Sequence, residues 1–270
     1  MRPVFLPGIV ILFLLTAAMP SKAAKLKRLL VVTTTTGFRH SSIPTAEKVL
    51  GQLAEQSHAF TVDYLRQPEG PQSDEAMKKA LEALSPQALA KYDGVVFAST
   101  TGDLPIPDKP GFLAWIKSGK AFIGIHSASD TFHGWPGYID MLGGEFDHHG
   151  PQVAVDCLNV DPRDRATKHL GADWKIDQEE IYQFKNYDPK RVHELLVLDK
   201  SPSDGTPGHY PIAWHRSYGK GRVFYTALGH REDIWDADPL LADRKNSVET
   251  SRAFQAHLLG GILWALGVKR

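Results

Sequence analysis

Three short apolar runs constrain the fold of this chain more than any other feature. Residues 28–35, 92–99 and 121–125 each stop at a polar turn built from small residues. Continuous β-branched and apolar runs of this length suit strands buried on both faces, the environment of a parallel sheet. Segments with helical spacing lie between them. Pro44 sits in the first turn of a helix expected over residues 43–55, with Ala46, Val49, Leu50 and Leu53 along one face. Residues 60–65 alternate as a further strand, and residues 66–75 read as a Pro/Gly/Ser-rich loop. An Ala/Leu/Lys-rich surface helix follows over 76–91, broken at Ser85-Pro86, and another helix is expected over 112–118. The alternation predicts an α/β fold with a doubly wound, mainly parallel sheet.

The second half is richer in strands, expected at 153–160, 180–184, 194–198, 212–215 and 222–228. Ser217-Tyr218-Gly219-Lys220-Gly221 reads as a hairpin turn between the last two, and residues 251–266 have the spacing of a closing amphipathic helix.

At the N-terminus, Arg2 precedes an apolar run over 4–19 and a small-x-small site at Ser21-x-Ala23, the order of a signal peptide. The run is short for a membrane span. A retained anchor is the competing reading. Residues 1–23 are therefore expected to be removed, and residues 24–270 to form one domain of an exported protein, periplasmic or extracellular. Removal would leave 29 basic against 31 acidic residues, a charge near −2. That balance gives no electrostatic case for nucleic acid or for an anionic membrane as partner. Cys157, the only cysteine, excludes an intrachain disulfide. Lying in an alternating segment, it reads as a small buried hydrophobe rather than a catalytic thiol.

In parallel sheets, ligands bind beyond the carboxyl ends of the strands. That rule selects the turns beginning at Gly37, Thr100, His126 and Gly229. They carry Arg39, His40, Asp103, His126, Ser127, Asp130, His133, His230, Arg231 and Asp233. Gly124-Ile125-His126-Ser127-Ala128 resembles a nucleophile elbow with an imidazole in the raised position, and imidazoles serve as bases, acids or metal ligands. His40, His126 and His230 are expected to line one pocket as the catalytic set, with Arg39, Ser127, Asp130, Trp214 and Arg231 as substrate-binding residues. Gly143-Gly144-Glu145-Phe146-Asp147-His148-His149-Gly150 adds carboxylates and imidazoles. It leads to the expectation that His126, Glu145 and His148 could hold a divalent metal, zinc or similar. Asp177, Glu179 and Glu180 are further carboxylates that could reach the cleft, though a charged surface loop is their default. Trp135, Trp214 and Trp235 lie near the polar loops, where an exposed ring would stack on a sugar. No G-x-G-x-x-G follows the first strand, so neither a nicotinamide nor a flavin cofactor is expected.

As a set, these motifs resemble the ThuA-like (trehalose-utilisation) family. The resemblance rests on Thr36-Gly37-Phe38-Arg39-His40-Ser41-Ser42, the Gly124–Asp130 elbow, Leu142-Gly143-Gly144-Glu145-Phe146 with His148, and Glu180-Ile181-Tyr182. Pro211-Ile212-Ala213-Trp214-His215 and Gly219-Lys220-Gly221-Arg222-Val223-Phe224-Tyr225-Thr226, running into Leu228-Gly229-His230, complete it over residues 28–267. The resemblance implies a flavodoxin-like, three-layer fold of the class I glutamine amidotransferase type. The elbow cysteine of the amidotransferases corresponds to His126 here, so thiol-dependent glutamine hydrolysis is not expected. The family also implies a link to disaccharide use and to 3-keto-glycosides made by a partner sugar dehydrogenase. The expected activity is cleavage or processing of such glycosides by histidine acid–base or metal-assisted chemistry, as a hydrolase or lyase. Two alternatives stay open: a non-catalytic carbohydrate-binding component, and a metal-dependent hydrolase of an unrelated small molecule.

Overall fold

In the computed structural model of the protein, residues 26–70 and 73–269 are described. The expected signal peptide lies outside them. The chain begins with β1 (Lys27–Val32), α1 (Ile43–Ser57), β2 (Phe60–Leu65), α2 (Asp74–Leu81) and α3 (Pro86–Leu89). It continues through β3 (Gly94–Ala98), α4 (Lys109–Lys117), β4 (Ala121–Ile125), α5 (Pro136–Leu142) and β5 (Glu145–His149). The second half supplies β6 (Val153–Asn159), β7 (Asp173–Glu179), β8 (Tyr182–Lys185), β9 (His193–Lys200), β10 (Pro207–Tyr218) and β11 (Gly221–Thr226). The short α6 (Glu232–Trp235) and the long α7 (Val248–Ala265) close it.

One nine-stranded sheet runs in the order β2-β1-β3-β4-β11-β10-β9-β6-β7. Its first five strands are mutually parallel, and the pairs from β11 through β10, β9 and β6 to β7 are antiparallel. The α/β class with a parallel core is thus as expected, extended by an antiparallel half. Alternation along the strands explains why the parallel runs are apolar throughout. Leu29 and Val31 of β1, with Val96 and Ile123, pack under α1 and α7; Leu30 and Val32, with Val95, Phe97 and Phe122, pack under α2, α4 and α5. Both faces of the parallel half are covered, giving the three layers.

Local chemistry sets the boundaries. Asp108 caps α4 by accepting from the Gly111 amide (2.8 Å), and Ser247 caps α7 by accepting from Thr250 (3.0 Å). The expected break at Ser85-Pro86 divides α2 and a following 3₁₀ turn from α3. The hairpin turn is the two residues Gly219-Lys220, between paired Tyr218 and Gly221. Two strands differ from expectation. Residues 173–179, Asp-Trp-Lys-Ile-Asp-Gln-Glu, form the edge strand β7, burying Trp174, Ile176 and Glu179 while Asp173, Lys175 and Asp177 face solvent. Residues 145–149 form β5, antiparallel to β8 in a separate two-stranded sheet. Cys157 is fully buried, and burial raises its thiol pKa far above the ordinary value, as suits a packing residue.

Glycines inside α7 have a packing role. A Cβ on Gly261 would collide with the Phe224 ring of β11, and one on Gly260 with the backbone at Arg165. Alanine normally favours a helix over glycine by about 1 kcal/mol. Here overpacking outweighs that preference, so Gly261→Ala is expected to lower unfolding free energy by about 1–3 kcal/mol in urea titrations.

His257, on the same helix, is fully buried; its Nδ1 donates to the Ala166 carbonyl (2.9 Å) and its Nε2 has no hydrogen-bond partner among the described residues. Burial brings its pKa down from 6.5 to about 4. Below pH 6.5 the unfolded chain takes up a proton that the folded chain refuses, so stability is lost as pH falls from 6.5 toward 4. The slope from this group approaches about 1.4 kcal/mol per pH unit. Urea titrations of His257→Phe should show a loss between pH 6.5 and 4.5 about 2 kcal/mol smaller than that of the parent.

Candidate functional site

The parallel strands bring four turns to one edge. β1, β3, β4 and β11 are consecutive neighbours, and the segments after β1, β4 and β11 carry His40, His126 and His230. At the end of β4 the backbone passes from extended Ile125 to His126 at φ +52°, a left-handed value unusual for a side chain with a Cβ, and then into a 3₁₀ turn (His126–Asp130). This is the elbow read from the sequence. Gly229, at φ +130°, lets the β11 turn close on it, since a Cβ there would meet Ile125 and Trp235 at 3.2 Å. Ser42 Oγ ties the β1 turn to the same segment by donating to the Gly229 carbonyl (3.1 Å).

His126 is fully buried and His40 nearly so. His126 Nδ1 lies 2.9 Å from the Ala227 carbonyl, which can only accept, so Nδ1 carries the proton and Nε2 presents a lone pair. That lone pair faces His40 Nε2 at 3.2 Å and His230 Nδ1 at 3.3 Å. His40 Nδ1 is 3.4 Å from Ser127 Oγ. A fourth group joins from beyond the far edge strand: Glu180 Oε1 lies 3.1 Å from His230 Nδ1 and 3.8 Å from His126 Nε2. Its other oxygen is 3.3 Å from Nδ1 of His149, which is half-exposed and stacks on Tyr182. The preceding Glu179, fully buried, braces the His230 turn: its carboxylate accepts from the His230 amide (2.6 Å) and the Arg231 amide (3.4 Å).

Burial, reinforced by His40 and His230, holds the His126 pKa well below its ordinary value, and burial with His230 brings His40 down to about 4. Burial also opposes protonation of His230, but the hydrogen bond and charge of Glu180 outweigh it and raise its pKa. The same pair works on Glu180, where His230, His149 and His40 overcome desolvation and keep the carboxylate ionised. Glu179 is pushed up to about 7 by burial.

His40, His126, His230 and Glu180 form a group whose ligand atoms all lie within 4.8 Å of one another. A tetrahedral ion with bonds of about 2.0–2.1 Å separates its ligand atoms by about 3.3 Å. The 3.2 and 3.3 Å spacings of His40 and His230 from His126 Nε2 match that separation, so the three imidazoles could hold a divalent cation, with Glu180 farther from His126 at 3.8 Å.

Several expected site residues lie elsewhere. Glu145 is not in the cluster: it accepts from His133 Nδ1 (2.7 Å) and Asn186 Nδ2 (2.6 Å), while His133 Nε2 is bound to Asp130 (2.6 Å). His148 is exposed on Asp147 (2.8 Å). Successive side chains of a strand face opposite ways, so β5 can offer only one of its two adjacent histidines, and His149 is the one beside Glu180. Trp214 is fully buried in the core and donates to the Leu142 carbonyl (2.8 Å), so it offers no stacking face; Trp235 is buried as well, and Trp135 is half-buried. Arg231 turns away to Asp233 (2.9 Å) and Gln152 (2.9 Å). Ser127 touches His40, Asp130 belongs to the His133 pair, and Arg39 is exposed with Nη1 on the Thr33 carbonyl (2.9 Å).

The fold is shared with solved structures. A protein described as ThuA-like from Parabacteroides merdae ATCC 43184 superposes with a TM-score of 0.69 at 21% identity, covering 91% of each chain. Another described so, from Bacteroides uniformis ATCC 8492, gives 0.63 at 18% identity, covering 93% of this chain and 97% of that one. A cytoplasmic protein from Salmonella typhimurium LT2 gives 0.54 at 13% identity over 89% and 99%. No curated protein matches the sequence. The ThuA family model, described as trehalose utilisation, matches residues 28–265, and the chain belongs to that family, within the class I glutamine amidotransferase-like superfamily.

Proposed function

We propose that the protein is an exported carbohydrate-processing enzyme that cleaves or processes glycosides, 3-keto-glycosides in particular, at the histidine cluster. The observation that carries this reading is the convergence of His40, His126 and His230 on one point with Glu180 beside it. Membership of a trehalose-utilisation family directs it to carbohydrate. Export rests on the N-terminal sequence pattern, and a partner sugar dehydrogenase would supply the ketone.

His40, His126 and His230 would hold a divalent cation, zinc or similar, which when bound would polarise a ketone oxygen. Glu180 lies further from His126 Nε2, at 3.8 Å, and is kept ionised by its histidine partners. It is the group to take the acidified proton beside the ketone; the C–H electron pair then forms a carbon–carbon double bond as the glycosidic C–O bond breaks, and the departing oxygen takes a proton from solvent to leave as an alcohol. His149, half-exposed on the other carboxylate oxygen, would pass that proton to solvent. His126 orients the cluster through its hydrogen bond to the Ala227 carbonyl. Glutamine hydrolysis through a thiol has no support, since the elbow carries His126 and Cys157 is buried.

Elemental analysis of the purified chain should find one divalent metal per protein, lost in His126→Ala and retained in Glu145→Gln. Equal loss in both variants, or metal absent from the parent even after reconstitution, would count against the histidine set.

Turnover of a 3-keto-disaccharide should stop with a chelator and return on adding the metal. Glu180→Gln should keep the metal but slow turnover by about 10²–10⁴-fold. Sugar binding without turnover would instead identify a carbohydrate-binding component.

A further inference from the structure

A cavity of about 600 Å³ opens on the other side of the turn that carries His40. Its size falls within the roughly 300–1,000 Å³ of small-molecule sites. Its polar lining comes from three places: Thr36 and Arg39 after β1, Gln67 and Lys78 around α2, and Asp103 after β3, with Asp74 beside Lys78. Two cations balance two carboxylates, so the lining selects neither an anion nor a cation. Mixed donors and acceptors around a balanced charge suit the hydroxyls of a neutral sugar. Arg39 is steadied by its bond to the Thr33 carbonyl, and Lys109 engages only one oxygen of Asp103 (3.0 Å).

Phe38 joins this cavity to the cluster. Its chain neighbours Gly37 and Arg39 both line the cavity, while its ring stands edge-on to His40 at 4.8 Å between centroids. Phe38 is 67% exposed. Its backbone is held from below: Thr101 Oγ1 donates to the Phe38 carbonyl (2.7 Å), and the Thr36 amide donates to the Thr101 carbonyl (3.0 Å). A fixed, exposed aromatic face between a reactive cluster and a polar cavity is suited to the apolar C–H face of a pyranose.

We propose that this cavity is a second sugar subsite. The histidine cluster engages the reacting ring, Phe38 stacks at the junction, and the cavity holds the second, neutral residue of a disaccharide. The inference rests on the carbohydrate reading above and adds the number of sugar units recognised.

Isothermal titration of trehalose and of glucose into the full-length Glu180→Gln chain, which should not turn either over, tests it. Trehalose should bind about tenfold more tightly than glucose. Adding Phe38→Ala, or Arg39→Gln with Asp103→Asn, should bring that ratio toward one. These side chains are at the surface, so thermal melts should confirm that each variant is folded. If both sugars bind but the variants keep the ratio within about twofold, or the ratio is near one from the start, the subsite is overturned while the carbohydrate reading stands. Failure of both sugars to bind while a 3-keto-disaccharide binds overturns the subsite alone; failure of all three overturns the carbohydrate reading, and the subsite falls with it.

Discussion

The parallel pairing of β4 with β11, which sets Ile125 beside Thr226, is the constraint on which the site depends. Because the two strands end in register, the next residue of one and the next of the other, His126 and Ala227, meet across the sheet edge. The Ala227 carbonyl then fixes the His126 ring through Nδ1 and turns its bare Nε2 toward the turns after β1 and β11. A buried imidazole without such a partner would carry a desolvation cost of about 1–3 kcal/mol. The left-handed backbone at His126 costs roughly 1–2 kcal/mol more. Strain of this kind persists where the surroundings leave no alternative. Here they are the two flanking strands, the close approach allowed by Gly229, and the Tyr225 hydroxyl, which donates to the His126 carbonyl (2.7 Å).

Burial acts on adjacent carboxylates in opposite ways according to what surrounds them. Glu179 is enclosed and satisfied by backbone amides, so desolvation dominates and raises its pKa to about 7. Glu180 is less buried, and its hydrogen bond and pairing with His230 lead the interactions that win over desolvation. One therefore holds the His230 turn in place, and the other presents a charge to the cluster. The brace extends further out. Asn246 accepts from the Asp177 and Gln178 amides near the end of β7 and donates to Asp233, which also holds Arg231. This network explains why Arg231, next to His230 in the chain, is a structural residue: its donors are already engaged.

Glu145 serves a comparable purpose on the other flank. With Asp130 it clamps His133, whose pKa rises because the two carboxylates overcome its burial. The clamp ties the 3₁₀ turn after His126 to β5 and, through Asn186, to the segment after β8. Those two strands flank the cluster, β5 ending at His149 and β8 beginning at Tyr182, whose ring lies 4.5 Å from that of His126. A carboxylate–imidazole–carboxylate set thus fixes one flank of the site and takes no part in the His40–His126–His230–Glu180 cluster.

What the sequence determined by itself was the parallel half and the three histidines. Strands buried on both faces and helices with one apolar face are local patterns, so residues 28–35, 92–99 and 121–125 could be read directly. Because parallel strands share one carboxyl edge, His40, His126 and His230 could then be placed together with no knowledge of side-chain positions. The rest was decided by tertiary structure. β7 was obscured because an edge strand shows solvent alternate polar residues, and Asp-Trp-Lys-Ile-Asp-Gln-Glu looks as much like a charged loop as a strand. Glu180 reaches the cluster only because that edge leads back over the sheet, a long-range path without local signature. Within Glu145-Phe146-Asp147-His148-His149, composition marked a polar cluster but could not say which imidazole β5 would turn inward. Trp214 illustrates the same limit: proximity to polar loops in sequence did not reveal that both faces of β10 would be covered. Local pattern sets which residues stand at the strand ends, while packing across the sheet decides which of them meet and which become part of the core.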